Sequence, residues 1–251
     1  VSAGTDTAGQ EHAEQRRDLA AAFRWLAREG MHESVANHLS LAVSADGAQF
    51  LINARGAHFS RVTAGSLMLL DARDTATLTR PDAPDPTAWY LHAHLHAALP
   101  AARCVMHVHS RYATALGCLA DSRLYPVDMN TMRFFGRVAV DEGFRGMALD
   151  DAEGARVAGL LGEGRTVLLM ANHGVLVVGD SVAAAFDELY YFERAARTLL
   201  DAYATGRPLR IVPDEIAALT ERQWRAYGQL ARDHLAAVRA ILDDEEPAYR
   251  C

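Results

Sequence analysis

The sequence predicts an α/β protein built on a mixed sheet, and three observations predict it. Segments of strand character alternate with segments of helical period along most of the chain. Two of the strands, "HLSLAVS" and "AQFLINA", are separated only by "ADG", and so short a connection demands an antiparallel hairpin. Half of the 251 residues are hydrophobic, enough to bury one sizeable core.

Each element has a local reason. From about His12 to Arg28, Leu19, Phe23 and Leu26 recur at helical spacing, and Gly30 is placed to stop that helix. The hairpin follows, then a strand in "GSLMLLDA". "PDPTAWYLHAHLHAALP" reads as a helix after Pro86, with Thr87 near its start and Pro100 beyond its end. "RCVMHVHS" is a strand and "RYATALGCLA" the helix after it. "NTMRFFGRV" reads as a loop carrying Arg133 and two phenylalanines, with packing the plainer role and a wall of the site the alternative. "DDAEGARVAGLLGEG" is a helix with acidic residues at its start. "TVLLMANHGVLVVGD" is two apolar strands broken at Ala171–Gly174, and residues 181–204 are a long helix. With no internal repeat or low-complexity linker, one domain over residues 11–210 is expected. Residues 1–10 form a loose tail, and residues 211–251 a helical extension packed on the same domain.

Composition narrows the function. A formal charge of −7 argues against a nucleic-acid binder, which needs a basic face. No apolar run approaches a membrane span, and "VSAGTDTAGQEHAEQ" lacks both regions of a signal peptide. Cys104, Cys118 and Cys251 have neither metal nor disulfide spacing. A cytoplasmic protein acting on a small molecule, with no membrane or nucleic-acid partner, is the expectation.

The histidines carry the chemistry. On a strand His107 and His109 share a face, and two such imidazoles can chelate one divalent metal. The plainer reading is a half-buried pair bonded to backbone or water. His173 sits at the break in "ANHGVLV", before a glycine that permits close approach. Alone it reads as a turn histidine; with H-x-H it would complete a three-histidine site with open positions. His92 and His96 are one helical turn apart, and His92 is a candidate fourth ligand or a partner behind the ligands. His94 faces elsewhere and reads as exposed.

The succession of "VANHLSL", "INARGAHFS", "LHAHLHAALPAARCVMHVHS" and "LLMANHGVLVVG" resembles the class II aldolase/adducin superfamily over roughly residues 15–205. That resemblance implies a three-layer α/β/α fold around a mixed, largely antiparallel sheet. It also implies a divalent metal (zinc, iron(II) or manganese) on His107, His109 and His173, and a homotetramer. In the sugar-phosphate aldolases of the family a glutamate begins the helix before H-x-H as ligand and acid/base. The matching position is Ala88, which can neither bind metal nor move a proton. The family's phosphate pocket corresponds here to Asn37, Arg55–Gly56 and Thr87. An arginine in that group fits a substrate carboxylate, which guanidinium grips in a planar fork, although a solvated turn arginine is the plainer reading.

The leading expectation is therefore a metal-dependent carbon–carbon lyase, aldolase or decarboxylase, acting on a small oxo or hydroxy acid. The alternatives are a three-histidine iron(II) oxygenase and a non-catalytic interaction domain of the adducin kind. Arg55→Ala should raise the Michaelis constant for a carboxylate substrate roughly tenfold or more. An unchanged constant removes Arg55 from the site.

Overall fold

The computed structural model describes residues 11–162 and 164–251; the expected tail at 1–10 lies outside the described residues. Helix α1 (Ala13–Arg28) leads into strands β1 (His38–Ala42), β2 (Gln49–Asn53) and β3 (Leu67–Asp71). Helix α2 (Pro86–Ala98) precedes β4 (Cys104–Val108), α3 (Arg111–Gly117), α4 (Met129–Arg133) and β5 (Val138–Asp141). Then come α5 (Asp151–Leu161), β6 (Val167–Met170), β7 (Gly174–Gly179), α6 (Val182–Ala204), α7 (Asp214–Ala226) and α8 (Gln229–Glu245).

The seven strands form one sheet in the order β3-β2-β1-β4-β7-β6-β5. Every pairing is antiparallel except β5 with β6, so the sheet is mixed and largely antiparallel, as the sequence predicts. Helices cover both faces. Leu39, Met106, Val108, Val175 and Val177 point to one side and pack with Phe23 of α1, Leu116 of α3, Phe186 and Phe192 of α6 and Leu235 of α8. Val105, Leu168, Leu176 and Val178 point to the other, against Leu91 and Leu95 of α2 and Val157 and Leu161 of α5. The period of two thus sorts each strand between two apolar layers. No helix among the described residues is long and apolar enough to cross a membrane.

One segment departs from expectation. "NTMRFFGRV" is not a loop: it contributes the end of α4 and runs into β5. Asp128 caps α4, its carboxylate accepting from the Thr131 amide at 2.8 Å. Arg133 is buried and donates to Asp187 of α6 at 2.6 Å, while Phe134 meets Phe192 edge to face. This segment anchors α6, and packing is its role. The pattern hid it because a five-residue helix and a four-residue strand are each too short to show a period.

The centre of the sheet is fixed by a glycine. In the β4–β7 ladder Val108 lies opposite Val175, which puts Gly174 beside His109. A Cβ on Gly174 would stand 2.6 Å from the Val108 carbonyl oxygen and 2.7 Å from the His109 ring. Gly174→Ala should therefore destabilise the protein by about 1–3 kcal/mol through overpacking. The change should read as a lower denaturant midpoint at unchanged m.

Candidate metal centre

Three elements converge at the open end of the central strands. His107 is the fourth residue of β4, and His109 follows the strand's last residue. His173 closes the β6–β7 hairpin, whose strands pair Met170 with Gly174 across a three-residue turn in which Asn172 is left-handed (φ 58°). That tight turn swings His173 back over β4. The ligand-type atoms of His107, His109 and His173 all lie within 4.8 Å of one another.

The surroundings fix how each ring is presented. His107 Nδ1 lies 3.1 Å from the Val175 carbonyl oxygen, which can only accept, so the proton sits on Nδ1 and the Nε2 lone pair is free. His109 Nδ1 lies 2.9 Å from a Glu33 carboxylate oxygen, with the same consequence. The two Nε2 atoms then face each other at 3.2 Å. Two lone pairs at that distance repel unless a cation lies between them. Zinc–imidazole bonds of about 2.0–2.1 Å place tetrahedral neighbours roughly 3.3 Å apart, so the residues present fit a divalent ion.

Burial keeps His107 and His173 neutral. It drives His107 well below the usual imidazole range, with His38 and the other ligand histidines adding to the effect. Burial and the neighbouring His109 lower His173 to about 4. Neutral imidazole is the ligand form.

The arrangement is braced from α6 and from the loop after α1. Glu193 of α6 accepts from Ser110 Oγ at 2.6 Å and from the amides of Tyr112 and Ala113 at 2.8 and 2.9 Å. It thereby ties down the residue after His109. Asn37 Oδ1 accepts from the amides of Glu33 at 2.7 Å and His109 at 3.3 Å.

Residues 17–200 match the family described as Class II Aldolase and Adducin N-terminal domain. The chain belongs to the class II aldolase and adducin family. An aldolase II superfamily protein from Pseudomonas syringae superposes with a TM-score of 0.85 at 31% identity, covering 95% of this chain and 96% of that one. The decarboxylase NovR of Streptomyces niveus is 29% identical over 92% of this chain and 87% of its own length. A 4-hydroxy-3-prenylphenylpyruvate oxygenase/4-hydroxy-3-prenylbenzoate synthase of Streptomyces roseochromogenus subsp. oscitans is 28% identical over 97% and 92%.

Against this class II aldolase fold the remaining sequence-derived residues can be placed. Ala88 is buried in the first turn of α2 among Ala42, Phe50, Ile52, Leu70 and Trp89, so apolar packing occupies its surroundings. His92 uses both ring nitrogens on other side chains, His38 and Ser40. His94 is half-buried and bonds Asp151 at 2.9 Å. Asn37 is buried beside His109, and its Nδ2 has no partner among the described residues, leaving an orphan donor close to the centre. Arg55 and Gly56 lie in an exposed turn after β2. Arg55 Nε approaches Asp85 at 3.9 Å, and Thr87 Oγ1 donates to the same carboxylate at 2.6 Å. Asp85, the N-cap of α2, is thus the hub of that group and was not singled out in the sequence. Glu33 was missed as well; a glutamate 76 positions from His109 carries no local signal.

Two outcomes follow. Glu33→Ala should weaken zinc affinity about 10- to 100-fold, measured by competition with a chromophoric chelator. The metal-free protein should also lose stability as pH falls from about 6.5 to 4. An unfolded histidine takes up its proton near 6.5, whereas buried His96 and His173 do so only near 4. The unfolded chain therefore binds more protons throughout that window, at about 1.4 kcal/mol per pH unit for each such group. The denaturant midpoint should be highest above pH 7 and fall steadily to pH 5.

Proposed function

We propose that the chain is a divalent-metal-dependent carbon–carbon lyase acting on a small oxo or hydroxy acid. The observation that carries this reading is the convergence of three imidazoles on one point, two of them, His107 and His109, with the tautomer fixed by an acceptor on Nδ1. A bound ion would act there as a Lewis acid on a carbonyl or hydroxyl oxygen, with three neutral ligands leaving its charge undiminished. His107, His109 and His173 are the residues proposed to hold it.

The protein's own groups supply the rest. Asn37 offers its orphan amide donor to a substrate oxygen near His109. Arg55 and Thr87, gathered at Asp85, form a rim for the carboxylate. Binding there requires Arg55 to exchange Asp85 for the substrate, which its exposed position permits. The Phe144 ring lies tilted against that of His173, their centroids 5.8 Å apart, and is itself half exposed, giving the centre an apolar side suited to an aromatic or branched substrate. The relative NovR is named as a decarboxylase, which is consistent with such chemistry.

A second reading has a specific observation behind it. The metal cluster contains no carboxylate among the described residues, and a facial set of neutral ligands also suits iron(II) and dioxygen. The relative named as an oxygenase supports this alternative. A homotetramer in the cytoplasm remains the proposed setting.

Loading the protein separately with zinc, manganese and iron(II), and incubating it with aromatic and aliphatic 2-oxo and 2-hydroxy acids under argon, decides between them. A lyase releases carbon dioxide or a carbonyl fragment without oxygen. Turnover only in air, with stoichiometric oxygen uptake by the iron form, replaces it with the oxygenase. Failure to take up any metal removes both. His173→Ala should abolish turnover while leaving the thermal midpoint of the metal-free protein within a few degrees.

A further inference from the structure

Behind the three imidazoles, on the α2 face of the sheet, lies a column of polar side chains that the metal centre does not use. His38 and Ser40 come from β1, His92 and His96 from α2, and all four are buried. Their spacing explains the match. Two residues along a strand advance about 6.7 Å, and four along a helix about 6.0 Å, so i, i+2 on β1 runs alongside i, i+4 on α2. His38 Nδ1 lies 2.7 Å from His92 Nε2. Ser40 Oγ contacts His92 Nδ1 and lies 2.7 Å from His96 Nε2. His96 Nδ1 ends the column 2.7 Å from the carbonyl oxygen of Ala102.

That carbonyl sets the direction of every bond. It can only accept, so His96 carries its proton on Nδ1, and in a neutral ring Nε2 must then accept. The Ser40 hydroxyl donates to it. The same oxygen accepts from His92 Nδ1–H, which leaves His92 Nε2 an acceptor for His38 Nδ1–H. The column therefore finishes with a bare lone pair on His38 Nε2. Neutrality is what burial demands, since an unpaired charge here would be costly. Burial lowers His96 to about 4 and carries His92 well below its usual range. Because Ala102 has no proton to give at the far end, the column is a tautomer clamp rather than a proton conduit.

The lone pair is placed to matter. His38 is the cross-strand partner of His107, and their rings lie 5.0 Å apart. His38 Nε2 is one ring carbon removed from the Nδ1–H that points to His92, so it is turned away from the column. It makes no hydrogen bond to any described residue. With Ala88 packed in apolar surroundings, position 88 of α2 brings no acceptor to the centre, and β1 brings this one.

We propose that His38 is the hydrogen-bond acceptor of the centre, its Nε2 receiving the O–H of a substrate hydroxyl, an enol or a water held beside His107. Its orientation is imposed by Ser40, His92 and His96 as positioning residues. The inference rests on reading the three-histidine cluster as the place where substrate binds, whereas the polarity of the column does not.

Long-range proton–nitrogen correlation spectra of the metal-free ¹⁵N-labelled protein at pH 7.5 test the polarity directly. His38, His92 and His96 should all be Nδ1–H tautomers with unprotonated Nε2. A His38 protonated on Nε2 overturns the proposal, whatever the reaction proves to be. In Ser40→Ala the His38 tautomer should become mixed, and in Ser40→Thr, which keeps the hydroxyl, it should remain fixed. A His38 tautomer unmoved by Ser40→Ala overturns the clamp. Zinc titration followed at His107, His109 and His173 reports separately on the metal centre. Glycolate added to the zinc-loaded protein should then shift His38 Nε2, while acetate, which has no hydroxyl, should not. Equal effects of the two acids overturn the acceptor role and leave the lyase reading standing.

Discussion

The antiparallel pairing of β4 with β7 is the constraint on which the rest of the molecule depends. Its register sets Val108 against Val175, which brings the H-x-H end of one strand beside the hairpin that begins the other. Only a glycine at position 174 allows the two backbones so close. The same ladder supplies the Val175 carbonyl that fixes the His107 tautomer. Apolar residues alternate along both strands and bury on two separate helical layers, and a slip of one residue would turn every one of them to the wrong face. Hydrophobic burial thus holds the register, and the register holds the histidines.

The centre gathers imidazoles with few compensating charges. Glu33 is the one carboxylate bonded to a ligand histidine among the described residues, and it lies at the exposed rim. Inside, burial and the neighbouring imidazoles hold His107 and His173 below the usual imidazole range, and the Nε2 atoms of His107 and His109 face each other 3.2 Å apart. A fold that concentrates acceptors in this way carries a desolvation cost, which a cation relieves. Structural and chemical roles coincide because the same carbonyls that satisfy buried N–H groups decide which nitrogen of each ring is left bare.

Ala88 changes what the family scaffold can do. A carboxylate in that turn of α2 would add charge to the centre; here the space belongs to Trp89, Phe50 and their neighbours. Just one turn further on, His92 is fully buried and bonded to both β1 side chains, so α2 still communicates with the centre, but through His38. In the proposed reading, the class II aldolase architecture therefore persists with the acceptor of its centre supplied by the strand beside the helix and not by the helix itself.

The sequence by itself determined the alternation of elements, the first hairpin, the interleaving of helices and the grouping of three histidines as a metal site worth testing. These are local patterns: a period of two, a period near four, a glycine after a histidine. It did not reveal α4 and β5, which are too short for a period to emerge. Nor did it reveal Glu33, Asp85 or the His38–Ser40–His92–His96 column. His38 and His92 are 54 residues apart, and their bond exists only because β1 pairs with β4 beneath α2. Which residues could carry chemistry was written in the chain. Which nitrogen of each would face the centre was decided by tertiary structure, because a ring's tautomer depends on a partner that only folding brings within reach.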